Sequence, residues 1–231
     1  MTASGCGEAG DIVVFPSNNA PLPLPREQWD ALRMAYASPA RAYHHFGHVE
    51  DVLGHYAEVA DGPGWSRPVE VWLAVLYHDA VYVPGRNGNE SASAALAAEH
   101  LHRWWPESAI DARRVAELIL LTARHGALRS RDFPVDDPSA TDTRHFLDCD
   151  MAILAAAFEK FSAYDRAIAE EYRGRAPQWL FRMRRRRFFQ RLLESERIFL
   201  SEYFHDRYET RARDNIRALL ASAQTRRGRS W

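Results

Sequence analysis

His48, the adjacent pair His78-Asp79, and Asp150 follow one another along the chain, each in an apolar setting. They stand in the segments RAYHHFGHVEDVLGHY, VWLAVLYHDAVY and FLDCDMAIL. Neutral imidazoles and carboxylates are the ligands that Mn, Fe, Co, Ni or Zn accept while water also stays bound. Four such groups can close around one divalent cation. A cation with open positions makes water a nucleophile at neutral pH. Two of the positions offer a choice. His44 precedes His48 by four residues, on the same face of any helix that holds both, and His55 falls near the same stripe. Asp148 and Asp150 point to different faces of a helix, so only one of them can join the cluster there. Structural roles compete with each reading. A histidine ending an apolar helix interacts with the helix dipole, as His78 alone would. Asp148 reads equally as a helix N-terminal carboxylate, and His45 and His55 as solvated helix histidines. Arg41 and Tyr43 lie just before His48, and an arginine there suits an anionic substrate, with solvated helix-start residues as the alternative.

Helices are the elements that must carry these groups. Apolar residues recur at Trp29, Leu32 and Tyr36, which predicts a helix over Glu27–Ala37. Ser38-Pro39 offers a cap and a first-turn proline for a helix to about Ala60. Pro68 opens a third helix that runs to about Val81. Asn89 caps a fourth, through Trp104. Ser108-x-x-Asp111 fits a capping box for a fifth, through His125. After the loop GALRSRDFPVDDPSA, helices are expected over Thr141–Phe158, Phe161–Arg173, Pro177–Phe204 and Thr210–Ala223. No β-alternation of any length and no internal repeat occur. The expected architecture is all-α: a flexible Pro/Gly-containing tail over 1–25 ending in the extended stretch PLPLP, one helical domain over 26–223, and a basic tail over 224–231.

The order His, His-Asp, Asp on helices resembles the fingerprint of the HD-domain superfamily of metal-dependent phosphohydrolases. The segments YHHFGHVEDVL, LYHDAVYVPGRNGNESASA, TARHG and DCDMAIL further resemble a bacterial branch of predicted HD phosphohydrolases, over roughly Arg41 to Leu154. The resemblance implies a helical bundle of HD type with a C-terminal helical extension. It implies His48, His78, Asp79 and Asp150 as metal ligands, with His44 in an outer-shell or substrate role and Asp148 as the alternative to Asp150. The branch carries an Asn-Glu pair where Asn89-Glu90 stands here, which makes Glu90 a general base or acid, with a first-turn structural Glu as the alternative. Asp79 is the second catalytic candidate. HD enzymes often have a later histidine that binds phosphate or a second metal, and His125 takes that place. Arg41, His44 and His125 are thus the expected substrate-binding residues.

Composition narrows the rest. Hydrophobic residues make up 46% and charged residues 26%, ordinary for a globular chain with a core. The net charge of -1 sets up no global field for nucleic acid or an anionic membrane. No apolar run approaches the ~20 residues that span a bilayer. MTASGCGEAG has neither a basic start nor an apolar stretch, so no secretory signal is expected. Two cysteines, Cys6 and Cys149, cannot build a disulfide framework, and a cytoplasmic setting is the default. The run Arg182–Arg187 reads as a solvated face, ion-paired with Glu171, Glu194 and Glu196, more than as a phosphate contact. There is no phosphate-cradling Gly loop, GxSxG, HExxH or CxxC. The expected activity is hydrolysis of a phosphomonoester or nucleotide with a divalent ion (Mn, Ni, Co, Fe, Zn or Mg). The expected partner is a small phosphorylated molecule, with neither membrane nor nucleic acid; a homo-oligomer stays open. A non-hydrolytic nucleotide- or metal-binding HD signalling module and a di-iron HD oxygenase are the rivals.

Overall fold

The computed structural model describes residues 12–13 and 20–227, and these form an all-α fold. Its axis is helix α3 (Pro68–Tyr77), PVEVWLAVLY, in which every residue from Val71 to Tyr77 is buried. A helix apolar on all sides belongs inside a protein. Four helices enclose it: α2 (Phe46–Asp61), α4 (Asn89–Trp104), α5 (Ala112–Leu121) and α6 (Pro138–Met151). Outside these lie α1 (Arg26–Ala37), α7 (Phe158–Glu171), α8 (Gln178–Glu194) and α9 (Glu202–Arg227). A short antiparallel pairing of β1 (Ile12–Val13) with β2 (Leu24–Pro25) sets Val13 opposite Leu24. Burying each Leu, Val or Phe of such a core contributes roughly 1.5–3 kcal/mol. No helix among the described residues is long and apolar enough to cross a membrane.

Helix α3 positions the His-Asp pair: His78 follows it directly, at its C-cap, with Asp79 next. The chain leaving this pair is tied down by α4. Ser93 Oγ accepts from Val81 N at 3.0 Å and donates to Val81 O, and Asn89 Oδ1 accepts from Val83 N at 3.0 Å. The expected helix over Asn89–Trp104 is present, but Asn89 is its first residue, not its cap, and its amide closes the preceding loop.

Several expected boundaries are corrected. No helix starts at Pro39; α2 starts at Phe46 with His45 as its N-cap, the imidazole Nδ1 accepting from Gly47 N. The chain before it stays open because its polar groups have tertiary partners. Tyr43 N and His44 N both donate to Glu171, and Arg41 takes the carbonyl of His44. A backbone satisfied in this way needs no helical bonds. Helix α3 stops at Tyr77, short of Val81. Asp111, not Ser108, caps α5; Ser108 Oγ instead donates to Trp105 O. Helix α5 ends at Leu121, and a short 3₁₀ turn, Thr122–Arg124, leads to His125. Helix α6 starts early, capped by Asp137 with Pro138 in its first turn, and gives way to a 3₁₀ turn over Ala152–Ala155 before α7.

The expected helix over Pro177–Phe204 is two pieces, and its end merges with Thr210–Ala223 in α9. Two carboxylates hold the break open. Glu209 accepts from Ile198 N and Phe199 N, and Asp148 from Leu200 N and Ser201 N. At the other end of the chain, Leu24 is fully buried in the core, so the end of the expected tail is anchored. The stretch 224–227, expected as tail, continues α9. Most of the tail over 1–25, with Cys6, and residues 228–231 lie outside the described residues.

His145 on α6 is buried among Trp65, Tyr203 and Phe204, with Nδ1 unpartnered. Burial, helped by the Arg144 charge, lowers its pKa to about 4. An unfolded histidine titrates near 6.5. The folded state thus disfavours protonation: stability is complete above about pH 6.5 and falls as pH drops toward 4, by on the order of 3 kcal/mol at most. His145→Phe, which keeps the ring among aromatics, is expected to flatten that part of the curve. Urea unfolding of both proteins between pH 7 and 4 measures it, and parallel curves would remove His145 as the cause.

Candidate metal centre

Three elements bring the four expected ligands together. His48 comes from the first turn of α2, His78 and Asp79 from the end of α3, and Asp150 from the last turn of α6. His48 and His78 are buried; Asp79 and Asp150 are nearly so. His48 Nε2 lies 3.1 Å from His78 Nε2 and 3.0 Å from Asp150 Oδ1. Asp79 Oδ2 lies 3.2 Å from His78 Nε2 and 3.7 Å from His48 Nε2. One donor atom each from His48, His78 and Asp150 falls within 4.8 Å of the others, and this group could hold a metal ion.

The donor set fits a divalent cation on chemical grounds. His78 Nδ1 lies 2.8 Å from the Val75 carbonyl, which can only accept. One proton therefore sits on Nδ1, and Nε2 is the nitrogen that faces the cluster, with a backbone carbonyl behind the ring as metal histidines use. Two lone pairs cannot meet at 3.1 Å; a proton or a cation must lie between them. Burial opposes a charge on His78, but Asp79 and Asp150 outweigh it and lift its pKa to about 9. Burial likewise opposes ionisation of Asp79 and Asp150, yet His78 beside Asp79, and His125 and His48 beside Asp150, hold both well below the usual carboxylate range. The pocket is built for positive charge.

The remaining candidates separate. Asp148 is no ligand: its carboxylate accepts from Leu200 N, Ser201 N and Ser201 Oγ at 2.6–2.7 Å, at the start of α9. His125 joins the cluster. Its Nδ1 lies 3.1 Å from Asp150 Oδ2, the oxygen turned away from His48, and its buried Nε2 has no partner. Burial lowers its pKa despite Asp150. His44 stands outside α2, so the shared helix face predicted for it with His48 does not exist. Its ring still lies 6.1 Å from that of His48, stacks on Tyr82 at 3.8 Å, and sets Nδ1 2.7 Å from Glu171 Oε2. Glu90 occupies the first turn of α4, half-buried, and makes no hydrogen bond or ion pair with any described residue. Cys149 is buried and its thiol pushed up by burial, so it supplies no thiolate.

Arg41 has a different task from the one expected. Its guanidinium donates to the carbonyls of His44, Ala35, Asp79 and Ala80, at 2.6–3.0 Å. Two of these belong to the turn that carries Asp79. The fork is thus committed to backbone and fixes that turn instead of meeting substrate. Lysine cannot reproduce it. Arg41→Lys is expected to weaken metal binding roughly 10–100-fold, as loss of an outer-shell support does, and to lower stability by about 2 kcal/mol through stranded carbonyls. Metal titration and urea unfolding read the two effects. Wild-type values in both would reduce Arg41 to a surface residue.

The basic run also differs from expectation. Arg185 turns inward to Asp165 at 3.0 Å and over the ring of Phe189. Glu171 serves His44, and no residue of the run pairs with Glu194 or Glu196 among the described residues.

Glu171 is the residue that the sequence did not reveal as part of the site. It lies 127 positions from His44, and no local signal marks it. The fold and site together define an all-α protein with a buried His/Asp cluster able to hold a metal ion. No protein-family model matches the chain, and no curated protein or solved structure shows significant similarity to it.

Proposed function

We propose that this protein is a metal-dependent phosphohydrolase of the HD type, acting on a small phosphomonoester or nucleotide-type substrate. The observation that carries this reading is the meeting of His48, His78, Asp79 and Asp150 within 3.0–3.7 Å, in the chain order of the HD fingerprint. A divalent ion held by these four would act as a Lewis acid on the phosphate and lower the pKa of a bound water.

The chain's own residues supply the rest. Val75 O fixes the His78 ring, and His125 steadies Asp150 through its second oxygen. In hydrolysis the oxygen of water forms a bond to phosphorus, the bond from phosphorus to the alcohol oxygen breaks, and that oxygen needs a proton. His44 is the group suited to give it: Glu171 orients its ring through Nδ1, the arrangement of a carboxylate behind a catalytic imidazole. The proton released by the water passes to a carboxylate, and Asp79 and Glu90 are the candidates. Glu90 has no hydrogen-bond or ion-pair partner among the described residues, and it stands on a helix fastened to the turn after Asp79.

The test joins elemental analysis of the purified protein to turnover of phosphomonoesters and nucleotides with added Mn or Ni. Bound metal with metal-dependent phosphate release supports the reading. Bound metal with no release from any ester overturns it. One observation favours a second reading, a di-iron oxygenase: His125 adds a fifth ligand-type side chain against Asp150. Two irons per chain in the same elemental analysis would select it.

A further inference from the structure

A cleft of about 380 Å³, counting the space open to solvent, reaches the cluster from the side of α2, α7 and α9. His48 and Asp150, both largely buried, line its inner part, away from the exposed Arg211. Its walls are apolar, with Val52 and Ile153 among small alanines, and the Tyr43 ring lies tilted against His48 there, centroids 4.7 Å apart. Its rim is charged. Lys160, the one lysine of the sequence, bonds to Asp51 at 2.7 Å, so these two charges offset each other. Arg211, on α9, also lines the cleft. It is exposed, forms no ion pair with any described residue, and lies 5.7 Å from the Tyr208 ring centroid. The nearby Glu58 is already taken: it accepts from Tyr208 Oη at 2.6 Å and meets His55 at 3.2 Å.

The chemistry of the cleft changes along its length: inside, His48 and Asp150, which would hold a cation able to bind phosphate; then an apolar and aromatic middle; and at the mouth a guanidinium with no ion pair among the described residues. Inorganic phosphate would leave the middle and the mouth unused. Resting on the phosphohydrolase reading, we propose that the substrate is an organic phosphomonoester with a second anionic group at its far end, and that Arg211 selects for that group. The phosphate goes to the inner end, the carbon skeleton lies along Val52, Ile153 and Tyr43, and the distal carboxylate or second phosphate meets Arg211. A planar guanidinium binds either group through two parallel hydrogen bonds. The Lys160–Asp51 pair beside it keeps the rest of the rim near neutral, so one ligand charge, not several, is recognised.

The probes are benzylphosphonate, 4-carboxybenzylphosphonate and a xylylene bisphosphonate, none of which can be hydrolysed. Their binding to the Mn-loaded full chain is measured by calorimetry. The wild type is expected to prefer the two doubly anionic probes by about tenfold, between the value of an exposed ion pair and that of a charge-assisted bond. Arg211→Gln is expected to bring that preference below about twofold, and Arg211→Lys to keep part of it. Comparing the carboxylate and bisphosphonate arms tells which anion is read. Equal binding of all three by the wild type, or a preference that survives Arg211→Gln, would overturn the proposal. Failure of every phosphonate to bind a metal-loaded chain would instead refute the phosphohydrolase reading beneath it. Circular dichroism of each variant separates these results from misfolding.

Discussion

Asp150→Ala is expected to strip the protein of its metal and its activity together, the largest effect of any single change. Asp150 uses both oxygens: Oδ1 lies 3.0 Å from His48 Nε2, and Oδ2 3.1 Å from His125 Nδ1. Its loss removes one inner ligand and releases the histidine behind it. Losing an outer-shell partner alone costs roughly 10–100-fold in metal affinity, so losing the ligand should cost more than that. His78→Ala should match it, since it removes a donor whose ring the Val75 carbonyl orients toward the cluster. Asp148→Ala is the informative contrast. It strips three hydrogen bonds from the start of α9 and should lower stability while metal stoichiometry in the folded fraction stays at the wild-type value. Metal content measured after size-exclusion chromatography separates the two aspartates. Wild-type content in Asp150→Ala would dismiss the centre, and loss of metal in folded Asp148→Ala would show that the wrong carboxylate carries the role.

What could be read from the sequence divides along a physical line. Helix α3 is plain because its apolar residues run unbroken after Pro68, and burial on all sides needs no knowledge of neighbours. Helix α1 is plain for a related reason: Leu32 and Tyr36 mark one buried face. The cluster was legible as an ordered pattern, because its residue types are those that metal ligation uses and they recur in a fixed order along the chain. What stayed hidden was every feature made by a distant partner. Residues 195–201 contain neither Gly nor Pro, and nothing local ends the helix there. Asp148 and Glu209 do so by taking amides that a helix would have used. The start of α2 was misplaced for the same reason, since Glu171 and Arg41 hold the chain before it open. Arg41 looked like a phosphate ligand because its type and position suit one. Its true partners, carbonyls of Ala35, Asp79 and Ala80, are invisible until the chain is folded.

His44→Ala should leave the metal in place and cut turnover of alkyl phosphates by roughly 10²–10⁴, the range for a lost general acid. The nearest donor atoms around the cluster belong to His48, His78, Asp79, Asp150 and His125, so His44 is not needed as a ligand. Its Nδ1 is held by Glu171 Oε2 at 2.7 Å, while Glu171 Oε1 accepts the amides of Tyr43 and His44. Burial opposes the charge on Glu171, but the His44 bond and these amides keep it ionised. Glu171→Gln retains an oxygen for the amides and removes the charge behind the ring, so it tests the dyad without reopening the loop. A purely structural His44 would slow all substrates alike. A proton donor matters only where the leaving oxygen needs a proton: p-nitrophenyl phosphate, whose phenolate leaves unaided, should lose far less rate than an alkyl ester in both His44→Ala and Glu171→Gln. Glu90→Gln in the same comparison should behave in the opposite way if Glu90 takes the proton of the attacking water, because that proton must go whatever leaves. Its loss should then be similar for both esters. Equal losses for the two leaving groups in His44→Ala would deny His44 the role of acid, and wild-type turnover in Glu90→Gln would leave Asp79 as the base.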